Sequence, residues 1–161
     1  MALGGVVQGG VVRRFVDLAV VKMFHELYYD TPNLTWLNTF YKGIPIAKCP
    51  LDTWQYQEII HETQPDVIIE TGTWNGGSAM FLRDMLRLSG KSKGTVITID
   101  ANPVGIFKDE EGVVQLIGDS TSQMIVDAAQ KYITSSDKVM VILDSDHSKA
   151  HVFKELQVWA K

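Results

Sequence analysis

The sequence predicts an α/β fold built on an open sheet of parallel strands. Four runs dominated by β-branched and other apolar residues, beginning at Val67, Thr95, Val113 and Val139, have the length and boundaries of strands. Segments with helical periodicity follow three of them, and strands alternating with helices imply parallel pairing through right-handed crossovers. Each run also ends in, or within two residues of, an acid: Glu70, Asp100, Asp119 and Asp144. Parallel strands point one way, so these four carboxylates are expected to gather at one edge of a Rossmann-like sheet.

Taken in order, residues 1–10 are Gly/Val-rich and of low complexity, as expected of a frayed terminus. From about Val11 to Tyr29 the stripe Val16, Val20, Met23, Phe24 and Leu27 predicts a helix laid on the domain. A lid or a homo-oligomer contact is the other use for that face. Asp30 to Pro50 reads as an irregular, aromatic-rich connector with Trp36, Phe40 and Tyr41, of a length that is often functional. Asp52-x-x-Gln55 has the form of a capping box for a helix over Thr53–Gln64, which Pro65 stops.

The first strand and its helix end at Ser89-Gly90, a C-terminal stop signal. The second strand ends in Asp100. Gly118-Asp119 closes the third, and Ser120-x-x-Gln123 is expected to open a helix containing Met124, Ile125, Ala128, Ala129 and Tyr132. The fourth run, Val139–Leu143, is apolar throughout, which implies cover on both faces and neighbours on both sides. With one helix remaining after it (Lys149 onward, Val152, Leu156 and Trp159 inward), the sheet reads as incomplete. The expected division is residues 1–64, N-terminal helices and an acceptor-side connector, and residues 65–161, the ligand-binding domain.

At 161 residues and 45% apolar content, the chain can bury one sizeable core. Its net charge of −4, without a Lys/Arg run, lacks the basic footprint of nucleic-acid binding. No apolar run approaches the roughly 18 residues of a membrane span. The single cysteine, Cys49, cannot form an internal disulfide and reads as a small core residue. A reducing, cytoplasmic setting is the expectation.

The ligand corner is Glu70-Thr71-Gly72-Thr73-Trp74-Asn75-Gly76-Gly77-Ser78. A dinucleotide loop, G-x-G-x-x-G, needs glycine where Trp74 stands, because backbone must approach the pyrophosphate there. An acidic strand end followed by this glycine pattern instead suits a ligand with a cationic centre and no phosphate, of which S-adenosylmethionine (SAM) is the commonest. Glu70 and Gly72 are expected against its methionine part, and Gly76, Gly77 and Ser78 at its carboxylate, where a helix begins. Asp100 lies 23 residues after Gly77, the spacing of an acid that accepts from ribose hydroxyls. Asp119 and Ser120 are expected around the adenine.

Asp144-Ser145-Asp146-His147 differs in kind, combining hard oxygen donors with a base that titrates near neutrality. Asp144 is the candidate metal ligand and catalytic partner, and His147 the candidate general base, a role typically worth ~100- to 10,000-fold. His151 reads as structural. One carboxylate does not hold Mg²⁺ alone, so further ligands are expected from elsewhere.

Gly43-Ile44-Pro45-Ile46, Lys48-x-Pro50-x-Asp52-x-Trp54-x-Tyr56-Gln57-Glu58-Ile59-Ile60, Pro65-Asp66-x-Ile68-Ile69-Glu70-Thr71-Gly72, Gly76-Gly77-Ser78 and Leu143-Asp144-Ser145-Asp146-His147-x-x-x-His151-Val152 together resemble the cephalosporin hydroxylase / rhamnosyl O-methyltransferase family. The match runs from about Thr39 to Leu156. The resemblance implies a class I SAM-dependent O-methyltransferase acting on a hydroxyl of a sugar, glycolipid or natural product. It also implies a Mg²⁺ site whose first ligand matches Asp144 and whose remaining acidic pair follows a further strand, beyond Lys161. Related macrolide-sugar methyltransferases are similar around D-x-x-H and imply His147 as base. A non-catalytic SAM- or nucleoside-binding module, or an interaction module, is the alternative. A nicotinamide-dependent oxidoreductase is a third reading, which Trp74 opposes.

Overall fold

The computed structural model of the chain describes residues 11–32, 34–107 and 111–160. It divides into two compact units, Met1–Asn38 and Thr39–Lys161. The expected fraying of residues 1–10 lies outside the described residues. In the first unit, helix α1 (Val11–His25) runs into a π-helical turn, Glu26–Asp30, and a 3₁₀ turn follows at Thr35–Asn38. The Tyr28 ring stacks on Phe24 at 5.5 Å and meets Tyr29 edge-on at 5.0 Å. The stripe read as a packing face is exposed at Val20, Met23, Phe24 and Leu27.

The second unit opens with a feature the sequence reading treated as irregular. Strands β1 (Phe40–Tyr41) and β2 (Ile44–Pro45) form a tight antiparallel hairpin. Its turn residues Lys42 and Gly43 have φ of 50° and 80°. Two consecutive positive-φ residues suit the right-handed twist of a hairpin, which is why glycine is found there. Helix α2 (Pro50–Thr63) follows and starts earlier than expected. Its N-cap is Cys49, with Pro50 in the first turn, so the Asp52/Gln55 capping box does not form. Proline fits that first turn because the position has no helical N–H bond to lose.

The remaining elements are β3 (Val67–Thr71), α3 (Gly77–Leu88), β4 (Thr95–Asp100), β5 (Val113–Ile117), α4 (Gln123–Gln130), β6 (Val139–Leu143) and α5 (Lys149–Trp159). All four expected strands form one parallel sheet in the order β5-β4-β3-β6. Among the described residues β6 has one neighbour, β3, where the apolar run had suggested two. Helix α4 is capped by Ser122, whose hydroxyl accepts from Ile125 N–H, and not by Ser120. Met124 and Tyr132, counted as part of its inward period, are exposed.

Strand side chains alternate between faces, and each face has its own core. Ile68, Val96 and Ile142 pack with Ile60 of α2 and with Met80, Leu82 and Leu86 of α3. Val67, Ile69, Ile97 and Ile99 pack with Ile125 and Ala129 of α4, with Trp159 of α5 against them. By the same alternation Glu70 and Thr98 share the face covered by α2 and α3. On α5 Trp159 packs inward as expected and Val152 is half-buried, but the place expected for Leu156 goes to its neighbour: Glu155 is 0% exposed and Leu156 49%.

Candidate functional site

The parallel register brings Glu70, Asp100, Asp119 and Asp144 to one edge of the sheet, as expected. Glu70 pairs with Thr98 and Ile142 across the ladder, Asp100 ends β4, and Asp144 follows β6 directly. Asp119 lies in the loop after β5. Each of the four carboxylates is nevertheless engaged by groups of the chain itself.

Glu70 is fully buried. Its Oε2 accepts from the Thr98 hydroxyl at 2.9 Å, and the Thr98 oxygen lies 2.7 Å from Thr73 Oγ1. Oε1 is buried without a hydrogen-bond partner. Burial pushes this carboxyl up to about 7, against the pull of the Ser78 hydroxyl, the Lys48 ammonium and the Thr98 hydroxyl, while Asp144 adds to the rise.

Gly72 lies where backbones converge. At φ +95° a β-carbon there would sit 2.1 Å from the Asp144 carbonyl oxygen, so the glycine lets the ends of β3 and β6 meet. Gly76, at φ +86°, is the N-cap of α3 and offers that helix no side-chain cap. The Phe107 ring covers it, 2.3 Å from where a β-carbon would stand. Gly77 is approached by the Pro45 carbonyl of the hairpin, and Ser78 is buried in the first turn.

Asp100 binds the glycine loop. Its Oδ2 accepts from Trp74 N–H and its Oδ1 from Asn102 N–H, both at 2.8 Å. The Trp74 carbonyl in turn accepts from the N–H groups of Val104 and Gly105. Gln115 fastens this loop from β5, accepting from Phe107 N–H at 3.0 Å and donating to the Gly105 carbonyl at 2.8 Å. Asp119 Oδ1 accepts from the N–H and hydroxyl of Thr121, which hold its pKa below the usual carboxylate range.

Ser120, expected near an adenine, is buried and faces α5. Its hydroxyl donates to Glu155 Oε1 at 2.6 Å and lies 3.1 Å from His151 Nε2. Ser145 donates to the same glutamate oxygen at 2.8 Å, and Trp159 donates to the Ser120 carbonyl at 3.1 Å. His151 is therefore part of a knot that joins α5 to the loops after β5 and β6, as its structural reading anticipated.

Asp144 is 38% exposed, and its Oδ2 is bound by the ammonium of Lys48, itself 9% exposed. His147 Nε2 stands 3.5 Å from the other oxygen, Oδ1, with the ring 75% exposed. Asp146 is turned to Ser148, whose N–H it accepts at 2.8 Å. Among the described residues no group of three or more His, Cys, Asp or Glu side chains converges to hold a metal ion. Asp144, expected as a ligand, is engaged by Lys48, and the described residues do not by themselves make a Mg²⁺ site.

Lys48, Gln115, Phe107 and Glu155 were not singled out as site residues in the sequence. Lys48 lay within the quoted Lys48-x-Pro50 block, which carried no chemistry on its own. Glu155 could have been found as an acid one helical turn after His151, on the face that Trp159 shares.

The Rhamnosyl O-methyltransferase/CmcI family model matches residues 33–161. The rhamnosyl O-methyltransferase of Mycobacterium bovis (strain BCG / Pasteur 1173P2) is 36% identical over 144 residues, which cover 87% of this chain and 58% of that protein. That of Mycobacterium leprae (strain TN) is 29% identical over 151 residues, covering 92% and 65%. The chain thus spans less than two thirds of the length of these relatives. Among solved structures, a CmcI structure with Mg and SAM has a TM-score of 0.56 at 22% identity, over 74% of this chain and 51% of that one. An apo structure of CmcI gives 0.59 at 22% identity, over 76% and 52%. At that identity the likeness is one of fold, and it matches the parallel sheet and flanking helices described above. The sequence match from residue 33 to residue 161 goes further: the chain belongs to the Rhamnosyl O-methyltransferase/CmcI family.

Proposed function

We propose that the chain carries the SAM-binding part of an O-methyltransferase whose acceptor is a hydroxyl of a sugar, glycolipid or natural product. Residues 65–161 hold SAM, and residues 1–64 contribute the acceptor side. The observation that carries the reading is the convergence, at one sheet edge, of the glycine loop 72–76, the uncapped start of α3 and the strand-end acids. Membership of the family supports it.

SAM, when bound, supplies a methyl group on a sulfonium, transferred in line to the acceptor oxygen. The first turn of α3 has no acidic residue and no side-chain cap, so its N–H groups suit the ligand's carboxylate. Each Asp100 oxygen takes one backbone N–H and keeps a lone pair for a ribose hydroxyl. Asp119 stands next along the edge for the base. Glu70, sealed behind Thr98 and Ser78, acts on the ligand through its field and not by contact.

His147 accepts the acceptor hydroxyl's proton at Nδ1 as the methyl–oxygen bond forms, while its Nε2–H faces the Asp144 oxygen 3.5 Å away, which stabilises the resulting imidazolium. Mg accompanies SAM in the CmcI structure; here Asp144 would be the one described residue to hold it, and the ion would orient and acidify the acceptor hydroxyl. A cytoplasmic enzyme fits the composition, and no described helix is long and apolar enough to cross a membrane.

The test is transfer of a labelled methyl group from SAM to a rhamnosyl-bearing acceptor. Turnover by the wild type, reduced ~100- to 10,000-fold in His147→Ala, is the expected result. Equal turnover by both proteins would remove His147 from the chemistry.

A further inference from the structure

Strands β5 and β6 stand at the two sides of the described sheet, three steps apart in the order β5-β4-β3-β6. At the ordinary spacing of neighbouring strands that is roughly 14 Å. The loop after each carries the same pair of residues, an aspartate and then a serine: Asp119-Ser120 and Asp144-Ser145. Both serine hydroxyls end on one atom. Glu155 Oε1 accepts from Ser120 at 2.6 Å and from Ser145 at 2.8 Å. His151 Nε2 adjoins the same joint, 3.1 Å from Ser120 Oγ and 3.3 Å from Glu155 Oε1. Glu155 and Ser120 are buried, and hydrogen bonds shielded from water in this way are the stiffer ones.

Each loop is a short closed unit. Asp119 takes the N–H and hydroxyl of Thr121, and its loop runs directly into Ser122, the cap of α4. Asp146 takes the N–H of Ser148, the cap of α5. Holding α5 in place does not require both serines. The chain itself joins α5 to the loop after β6, and Trp159, at the other end of the helix, donates to the Ser120 carbonyl at 3.1 Å. What Glu155 adds is a link between the two loops, made in each at the residue beside the strand-end acid.

We infer that Glu155 is a positioning residue that couples the nucleoside-side loop, Asp119-Ser120, to the acceptor-side loop, Asp144 to His147, so that a ligand ordering one orders the other. The inference rests on the proposed placing of the base at Asp119 and of the acceptor at His147. Such a link acts in both directions: whatever base binding adds to the order of the His147 loop, that loop returns as affinity for the base. Cofactor bound on one side thereby fixes His147 on the other before the acceptor enters.

Adenosine is the probe, because it has the base and ribose but lacks the methionine part that the proposed function puts near Gly72 and Asp144. Calorimetric titration into the 161-residue chain reads the first loop, and amide exchange at residues 146–148 reads the second. In the wild type, saturating adenosine is expected to slow that exchange about 5-fold. Glu155→Ala and Ser145→Ala are each expected to lose the slowing and to bind adenosine about 5-fold more weakly, although Ser145 lies on the loop remote from the base. Should Glu155→Ala fail to fold, Ser145→Ala carries the test, since it removes only one hydroxyl. Glu155→Gln keeps an oxygen for both serines and is expected to stay within about two-fold of the wild type in both readouts, which a purely electrostatic role for the carboxylate would not allow. Adenosine binding that leaves exchange at 146–148 unchanged, or that Ser145→Ala does not weaken, overturns the inference alone. Absent adenosine binding by the wild type overturns the placing of the nucleoside at this edge, and the inference with it.

Discussion

Two glutamates in this chain are equally buried, and each keeps one oxygen without a hydrogen-bond partner, yet they serve opposite ends. Glu70 Oε1 and Glu155 Oε2 are the two such atoms among the described residues. Glu70 stands on a central strand, on the α2/α3 face, with a buried ammonium close by and its carboxyl pushed up to about 7 by burial. Glu155 stands on a helix, takes two serine hydroxyls on one oxygen and fastens α5 to the loops after β5 and β6. The first belongs to an edge arranged around charge; the second is a clamp. Burial alone does not separate them. Hydroxyls answer both; what separates them is the element each stands on and the lysine ammonium that acts on Glu70.

The comparison breaks most sharply at Gly72, beside Glu70. In Gly72→Ala a methyl group would stand 2.1 Å from the Asp144 carbonyl, a backbone atom that cannot turn aside. Urea unfolding is expected to show a loss of about 4 kcal/mol or more. At Gly118, on the Glu155 side, an added methyl meets only the end of Ile125 at 2.7 Å, and the loss is expected to be smaller.

A second test uses pH. Between 4.5 and about 7 the folded protein keeps a proton on Glu70 that the unfolded chain has released. Stability contributed by that proton is full below 4.5, falls as pH rises through the window and levels off above 7, by about 3 kcal/mol in all. Glu70→Gln is expected to flatten this slope; a slope that persists would place its origin elsewhere. Asp84 behaves in the opposite sense. Burial pushes its carboxyl up, but Lys42, Tyr41 and Arg83 outweigh this and hold its pKa down to about 2, so its contribution is full above 3.8 and is lost as pH falls from there through about 2.

Smaller again is Glu155→Ala, which leaves the Ser120 and Ser145 hydroxyls without their acceptor. A cost of about 2 kcal/mol is expected, with hydrogen exchange rising in α5 more than in β3 or β4. Equal exchange in both regions would mean that the clamp is not local. The least effect on stability belongs to His147→Ala, whose ring is largely exposed: a change within about 0.5 kcal/mol by thermal unfolding.

The strands were legible because burial on both faces writes itself as unbroken apolar runs, and the sheet edge was legible because parallel pairing carries every strand end to one side. Contacts that depend on distant segments were not. Nothing local to Lys48 announces a partner 96 residues away, and nothing at Ser120 says that α5 will cross beneath it. The Lys42-Gly43 turn hid in a connector read as irregular because a hairpin of two-residue strands is too short to show alternation. On α5 the apolar pattern named Leu156, while the buried place went to its neighbour Glu155, whose hydrogen bonds only the folded loops provide. Of the expected ligand residues, the acids came together at the edge, but Asp100 holds the glycine loop as well as its own, Asp119 supports its own loop, and Ser120 turned to α5.

The account depends on SAM resting at the carboxyl edge of β3 and β4. Calorimetric titration of SAM into the chain tests this most directly, with Asp100→Ala and, as a control on exposed α4, Asp127→Ala. One saturable site, weakened about 10-fold or more by the first change and untouched by the second, is the result expected. Absent SAM binding, or binding indifferent to Asp100, would contradict it.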